Sequence, residues 1–372
     1  MKLKDVCTVF IDGDWIESKD QSEEGIRLIQ TGNIGEGIYL EKEIRAKYIS
    51  EDTFARLKCT EIFPGDILVS RLPEPIGRAC IIPEKSERMI TAVDCTICRP
   101  NEDIVCKEYL CYFMRSKVYY TRLLSKVTGT TRKRISRKNL GNIELVVPHR
   151  EEQRMVVKQL DSLMKLIDFQ NKKLQELDRL IKARFVEMFG SIHESTEYPY
   201  VAVKDLTDVI SGGTPSRDKP EYWEDGTIPW VKTTELQNNI IVNVDEYITE
   251  VGLNSSSAKL VPVGTVLVAM YGQGKTRGMT AYLNIEACTN QACACILPSD
   301  RIDSMFMWKF FELSYEKLRN LAQGAGQPNL NGNMIKNFQV LVPPIELQKE
   351  YIDFVCQTDK SKFDKFYRHV IG

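Results

Sequence analysis

Histidine is scarce in this chain: among 372 residues there are three, His149, His193 and His369, none spaced to work with another. Histidine is the side chain whose ordinary pKa lies nearest neutrality, so its scarcity leaves little for acid–base work at pH 7. The carboxylates are numerous but unclustered, and no G-x-S-x-G nucleophile turn occurs. A charge excess is missing as well. The formal net charge is −1, which argues against a uniformly basic nucleic-acid binder and requires any such contact to come from local segregation of charge. No apolar run reaches the ~18 residues that a membrane span needs. Met1-Lys2-Leu3-Lys4-Asp5 is not an apolar secretion segment. No membrane association is expected, and a cytoplasmic location is the plain expectation. The eleven cysteines follow no framework spacing, which fits reduced thiols better than disulfides. Cys95-x-x-Cys98 and Cys293-x-Cys295 raise the question of zinc, but a structural site wants four ligands in paired knuckles, and no histidine is spaced to help. No metal is expected; buried free thiols on strands account for these cysteines.

Glycine and proline are absent from the stretch between Pro148 and Gly190. Leu160, Leu163, Ile167, Leu174, Leu177, Ile181 and Met188 recur there in steps of three and four, with one polar interruption near Gln170 and charge at most positions between. That is a heptad seam on one long amphipathic helix over 150–190. At ~1.5 Å per residue such a helix is a rod on the order of 58 Å long, suited to spacing two bodies apart. The seam is open to three readings: packing on the chain's own domains, homodimerisation, or pairing with a helix that starts at Pro344. The last is preferred, because both flanks end in such a helix.

The flanks repeat each other. Gly129, Ile135, Leu140, Ile143, Val147 and Pro148, then Glu151 and Gln153, align at a constant offset of 195 with Gly324, Leu330, Ile335, Phe338, Val342 and Pro343, then Glu346 and Gln348. Upstream, Pro64-Gly65-Asp66-Ile67-Leu68-Val69 resembles Pro262-Val263-Gly264-Thr265-Val266-Leu267-Val268, and Leu3-Lys4-Asp5-Val6 resembles Val203-Lys204-Asp205-Leu206. A period this long is a duplicated domain, not a solenoid repeat. The expected organisation is a first domain over 1–149, the spacer helix over 150–190, a second domain over 191–343 and a shortened helix over 344–372.

Each copy reads as an α+β unit. In the first, short β-rich runs at Ile26 to Gln30, Ile67 to Val69, Cys80 to Ile82 and Ala92 to Cys98 are broken by turn residues. Helical spacing follows over 105–127, with Tyr109, Leu110, Phe113, Val118 and Leu123-Leu124 as the expected buried face, and Ile143 to Val147 is expected to close the domain as a strand. A dense basic cluster lies between them: Arg132, Lys133, Arg134, Arg137 and Lys138, beside Thr128, Gly129, Thr130 and Thr131. It is either a solvated charge run or a phosphate-contacting surface. At the equivalent place the second copy offers Gln323, Gln327, Asn329, Asn331 and Asn333, amides able to pair with base edges, to bond phosphates, or simply to shape a polar turn. Arg71 and Arg78 border one loop of the first copy. Arg217, Lys219, Lys275 and Arg277 sit in turn-rich loops of the second. All are candidate DNA contacts. The glycine loop before Lys275-Thr276 superficially suggests a phosphate-binding loop, but that motif would put Gly where this chain has Ala269.

Together the duplicated plan, the closing segments Pro148-His149-Arg150-Glu151-Glu152-Gln153 and Pro343-Pro344-Ile345-Glu346-Leu347-Gln348, the loop Ser211-Gly212-Gly213-Thr214-Pro215-Ser216, the strand Ile228-Pro229-Trp230-Val231 and the helix end Glu187-Met188-Phe189-Gly190 resemble the DNA-specificity subunit of type I restriction-modification systems. The resemblance covers nearly the whole chain. It implies two target-recognition domains that each read half of a split site on double-stranded DNA. It also implies helices that hold these domains apart in an antiparallel, coiled-coil-like pair and dock modification (methyltransferase) subunits, with restriction subunits joining the complex. S-adenosylmethionine would then be bound by the modification subunit, and no cofactor by this chain. The alternatives are a non-catalytic interaction scaffold of the same architecture, or a fragment of a fused restriction-modification enzyme. No Asn/Asp-Pro-Pro-Tyr/Phe segment of an amino-methyltransferase is present, which disfavours the fused enzyme.

Overall fold

The computed structural model describes residues 1–129, 133–272, 274–322 and 329–358. The chain divides into two compact units, Met1–Phe169 and Gln170–Gly372. In the first, the central layer is an antiparallel sheet ordered Cys7–Asp12, Cys95–Pro100, Ile67–Ser70, Ala79–Ile81. Side chains alternate across a strand, so Ile67 and Val69 face Leu110, Tyr119, Leu123 and Ile135 of a helical layer. Leu68 faces the other way, with Cys95 and Ile97, onto Ile29, Ile62 and Met89 of a second sheet. That sheet is ordered Tyr48–Ile49, Ile26–Ile29, Met89–Thr91, Glu61–Ile62, and its inner pair is parallel. Three layers follow: helices, sheet, sheet. The central strand is covered on both faces and therefore reads as a continuous apolar run.

The second unit repeats this register by register. Its sheet is ordered Val209–Ser211, Cys293–Ile296, Val266–Ala269, Thr280–Leu283, with Asn239–Ile241 added in parallel at the edge. Val266 and Val268 face Phe306 and Phe310 of the helical layer, and Leu267 and Ala269 face Val231 and Leu236. Its second sheet, Glu246–Ile248, Ile228–Val231, Cys288–Thr289, keeps the parallel pair and one antiparallel pair but has three strands where the first unit has four. In both units a glycine marks a point where the layers press together. A Cβ on Gly13 would lie 2.3 Å from the Thr91 carbonyl oxygen, and one on Gly212 would lie 2.0 Å from that of Thr289, so neither position has room for any other residue.

Several boundaries differ from the sequence expectation for local reasons. The expected run Ala92 to Cys98 starts late: residues 92–94 are the bridge and turn after the strand Met89–Thr91 of the second sheet, and the central-sheet strand is Cys95–Pro100. The helical stretch breaks into Lys107–Phe113 and Lys117–Leu124, because the Ser116 hydroxyl accepts from the Tyr119 N–H and caps a new start. That break shifts the helical phase. Tyr119 and Leu123 are buried, whereas Val118 and Leu124, expected inside, are exposed. The expected closing strand at Ile143 to Val147 is reduced to a bridge between Lys2 and Glu144. Its counterpart Gln339–Leu341 is a full partner of Tyr200–Ala202.

The long helix runs from Arg150 to Phe189. Within the first unit its start is tied down by Gln153, which is fully buried. The Gln153 amide accepts from the Cys106 N–H and donates to the Ile104 and Pro148 carbonyls, each at 2.9 Å. Gln348 does the same at the start of the helix Ile345–Thr358 in the second unit: it accepts from the Asp303 N–H at 2.8 Å and donates to the Pro343 carbonyl at 2.7 Å. The Pro-to-Gln spacing shared by the two copies is thus a buried amide that satisfies loop backbone.

Within the second unit Ile181, Phe185 and Phe189 of the long helix pack on Phe306, Phe310 and Tyr351. The expected pairing with the helix over 344–372 is realised here, between the last turns of one helix and Ile345–Thr358 of the other, with Arg184 bonded to Glu350 at 2.9 Å. Among the described residues it does not extend along the seam. Leu163, Ile167 and Leu174 are exposed, while Leu160, Leu177 and Met188 are half-buried. Residues 359–372, the rest of the expected second helix, lie outside the described residues.

Gln348→Ala should lower stability by roughly 2 kcal/mol, because it strands a buried N–H and a buried carbonyl; a chemical denaturation midpoint equal to that of the native chain would refute this role. His193 offers a pH test. It stands edge-on to Phe310 and Phe338, and burial, helped by Lys317, lowers its pKa to about 4. The folded state then holds fewer protons than the unfolded state between about pH 4 and ~6.5, so stability falls as pH falls through that window. The melting temperature of His193→Leu should fall less than that of the native chain between pH 7 and pH 5.

Candidate nucleic-acid interface

In both units the segment after the helical pair hangs from the end of the central strand by an equivalent backbone hydrogen bond. Ile135 N–H donates to the Arg71 carbonyl at 3.3 Å, and Leu330 N–H to the Met270 carbonyl at 3.0 Å. Ile135 and Leu330 are buried plugs. The next residue caps a short helix in each case: Ser136 accepts from the Asn139 N–H before Arg137–Gly141, and Asn331 accepts from the Met334 N–H before Gly332–Lys336. The apolar plug and the cap are thus common to both copies. What differs is the side chains presented around them, Arg137 and Lys138 in one copy against Gly332 and Asn333 in the other.

The basic cluster of the first unit is partly accounted for internally. Thr128 and Arg134 pair through backbone N–H groups at 2.9 Å in each direction, and the Arg134 side chain lies 3.2 Å from Asp94. Lys133, Arg137 and Lys138 are exposed; Arg132 lies outside the described residues. Arg71, grouped by its sequence position with the surface contacts, is buried instead. Its Nη2 donates to the Val93 carbonyl at 2.5 Å, and its Nε lies 3.3 Å from Asp12 Oδ1. Burial lowers its pKa, against the opposing effect of Asp12. Arg78 is also withdrawn from the surface. It donates to the carbonyls of Ile34, Thr31, Pro75 and Leu72 at 2.7 to 3.2 Å, because loops that make no ladder still need donors for their buried oxygens.

The second unit likewise spends some of its cations on structure. Arg217 stacks on Trp223, its guanidinium carbon 3.6 Å from the ring centroid, and pairs with Glu246 at 2.6 Å. Lys219 donates to the Tyr222 hydroxyl at 2.9 Å. The glycine-rich loop 271–278, of which Gln273 is not described, is pinned through its carbonyls: Tyr315 donates to Lys275, and Arg319 to Gly274 and Arg277. That leaves the Lys275 side chain exposed and Arg277 half-buried. Asn329 is half-buried, Asn331 is the cap already described, and Gln323 and Gln327 lie outside the described residues. The paired cysteines are strand residues whose spacing sends Cys95 and Cys98 to opposite faces of one sheet, and burial pushes the Cys95 thiol up to about 12.

Sequence reasoning missed Lys4 and Asp12, which border the basic cluster across a cleft beside Arg71. The repeat of Lys4 as Lys204 was the available signal for the first. Nothing in the sequence marked the second.

Two copies of one three-layer α+β domain, alike in core and cap but different in the polar side chains around the plug, define a duplicated binding protein. The chain belongs to the type I restriction modification DNA specificity domain family, whose model matches residues 1–179 and 196–365. It is 20% identical over 360 residues to the HindI specificity subunit of Haemophilus influenzae, covering 76% of this chain and 78% of that one. It is 22% identical over 166 residues to the EcoR124I/EcoR124II specificity subunit of Escherichia coli, covering 44% of this chain and 41% of that one. The match to the MjaIX specificity subunit of Methanocaldococcus jannaschii is 29% over 171 residues, 43% of this chain and 39% of that one. The chain therefore spans only about two fifths of the length of the last two. The fold is shared with the type I restriction-modification S subunit from M. genitalium at a TM-score of 0.53 and 12% identity, covering 99% of this chain and 91% of that one. A chain solved for complex assembly of a type I restriction-modification system matches at a TM-score of 0.54 and 17% identity, covering 97% and 90%.

Arg78→Met should cost on the order of 2–4 kcal/mol by leaving buried carbonyls unpaired, whereas Lys133→Gln should leave the melting temperature unchanged. Equal thermal shifts in the two variants would contradict the division between structural and surface cations.

Proposed function

We propose that this chain is the DNA-specificity subunit of a type I restriction-modification complex, in which domains at about 1–149 and 191–343 each read part of a bipartite site in double-stranded DNA. The carrying observation is that equivalent register positions hold the same plug and cap but different polar side chains, as expected of two readers with different targets on one scaffold. Phosphate contacts from Lys133, Arg137, Lys138, Lys275 and Arg277 position the domains, and polar side chains at the loops read base edges.

The chain performs no chemistry itself. Methylation takes place in a modification subunit that binds S-adenosylmethionine, and a restriction subunit completes the nuclease, in the cytoplasm. The exposed apolar residues of the long helix, including Leu163, Leu166 and Ile167, are the docking surface for the modification subunit. No described helix is long and apolar enough to cross a membrane.

The test is selection of bound duplexes from a randomised library, using the chain copurified with its candidate modification subunit. Two short motifs at constant separation are the expected result; no enrichment would leave only an interaction scaffold. For the docking surface, Leu166→Asp should change stability by less than ~0.5 kcal/mol, as surface substitutions do, yet abolish copurification. Retained copurification would exclude this face.

A further inference from the structure

The two copies differ in one respect that bears on how each would hold DNA. In the first, a cleft of about 570 Å³ opens between the edge strand Cys7–Asp12 and the short helix Arg137–Gly141. Its lining carries four cations, Lys4, Arg71, Arg137 and Lys138, against one carboxylate, Asp12, with Ser136 at the rim. Arg71 forms the floor, with 5% of its side chain exposed. Its Nε makes an ion-pair contact with Asp12 but no aligned hydrogen bond among the described residues. A buried guanidinium held by the Asp12 ion pair lies beneath a cleft lined by three further cations, and together these groups have the charge and the donors that suit a phosphate monoanion.

The second copy lacks this device. Strand pairing makes Met270 the counterpart of Arg71 and Ser211 that of Asp12. The shared cap makes Gly332 and Asn333 the counterparts of Arg137 and Lys138. Lys204, the counterpart of Lys4, is bonded to Asn337 at 2.8 Å. The Arg–Asp pair has become Met and Ser together, and three of the four cations have gone; one cation is added, the exposed Lys336 at the counterpart of the cleft-lining Gly141.

We propose that this cleft of the first domain seats a phosphodiester of the DNA backbone, and that the second domain has no equivalent seat. The assignment rests on the DNA-binding reading above. The first domain adds this charged cleft to its surface contacts, whereas the second relies on the cations of its glycine-rich loop, Lys275 and Arg277. A free phosphate or phosphorylated metabolite would offer the same chemistry, so the two sources are separated by experiment.

The full chain is titrated with a fluorescent duplex of random sequence at salt concentrations from 50 to 200 mM, alongside Arg137→Gln/Lys138→Gln, the swap Arg71→Met/Asp12→Ser, and Lys336→Gln in the second domain. Each neutralised phosphate contributes about 0.9 to the slope of log affinity against log salt. The surface pair should therefore flatten the slope by about 1, and Lys336→Gln should leave it unchanged. The swap should weaken binding although net charge is unaltered. In parallel, thermal stabilisation by inorganic phosphate is measured for the native chain and the surface pair. Duplex binding with the same slope in the native chain and the surface pair overturns the cleft and leaves the DNA reading standing. Absent duplex binding with a phosphate-induced stabilisation that the surface pair loses overturns the DNA reading and assigns the cleft to a free anion. Absence of both overturns both. Should the buried swap fail to fold, the surface pair alone decides.

Discussion

The structure depends on a strand that must be covered on both faces. Ile67–Ser70 and Val266–Ala269 are buried throughout, so each needs a helical layer on one side and a second sheet on the other. That requirement sets the three layers and presses Gly13 and Gly212 against the neighbouring sheet. It also leaves one end of the central strand as the point from which the following segment is hung. The Ile135 and Leu330 hydrogen bonds belong to this constraint: each plugs the core while delivering its polar neighbours to the rim. The scaffold is therefore stiff where the side chains at the rim are free to vary, a division suited to duplication followed by a change of target.

Charge is segregated within each domain, with little net excess overall. Some cations are consumed by the fold. Arg78 feeds four carbonyls, Arg217 stacks on Trp223, and Arg134 meets Asp94. Others, such as Lys133, Arg137, Lys138 and Lys275, stand at the surface. An arginine's presence in a loop is thus weak grounds for assigning it to a ligand, because irregular backbone needs donors as much as a phosphate does. The division is decided by burial and by the number of carbonyls within reach.

The long helix shows the same separation of roles along its length. Its ends are tied by specific devices, the Gln153 amide within the first unit and the Phe185 and Phe189 rings within the second. Between them it presents leucines, an isoleucine and Phe169 to solvent. An apolar stripe left in water over this length is what distinguishes the middle of the helix from its two packed ends.

By itself the sequence determined the duplication, the two α+β domains and the long helix, because these rest on local periodicity and on apolar positions that repeat at constant offset. It also determined that Gln153 and Gln348 mattered as a pair, though not why. Tertiary structure decided which candidate cations face water. Arg71 and Arg78 were indistinguishable from Arg137 in sequence, and only the packing of loops from distant parts of the chain withdrew them. It decided too that Ser116 restarts a helix, which moved Val118 outward, and that the seam at Leu163, Ile167 and Leu174 stays exposed. The reason is common to all of these: hydrophobic periodicity records which residues leave water, whereas the partner of a polar group is chosen by chain segments that meet only in the folded state.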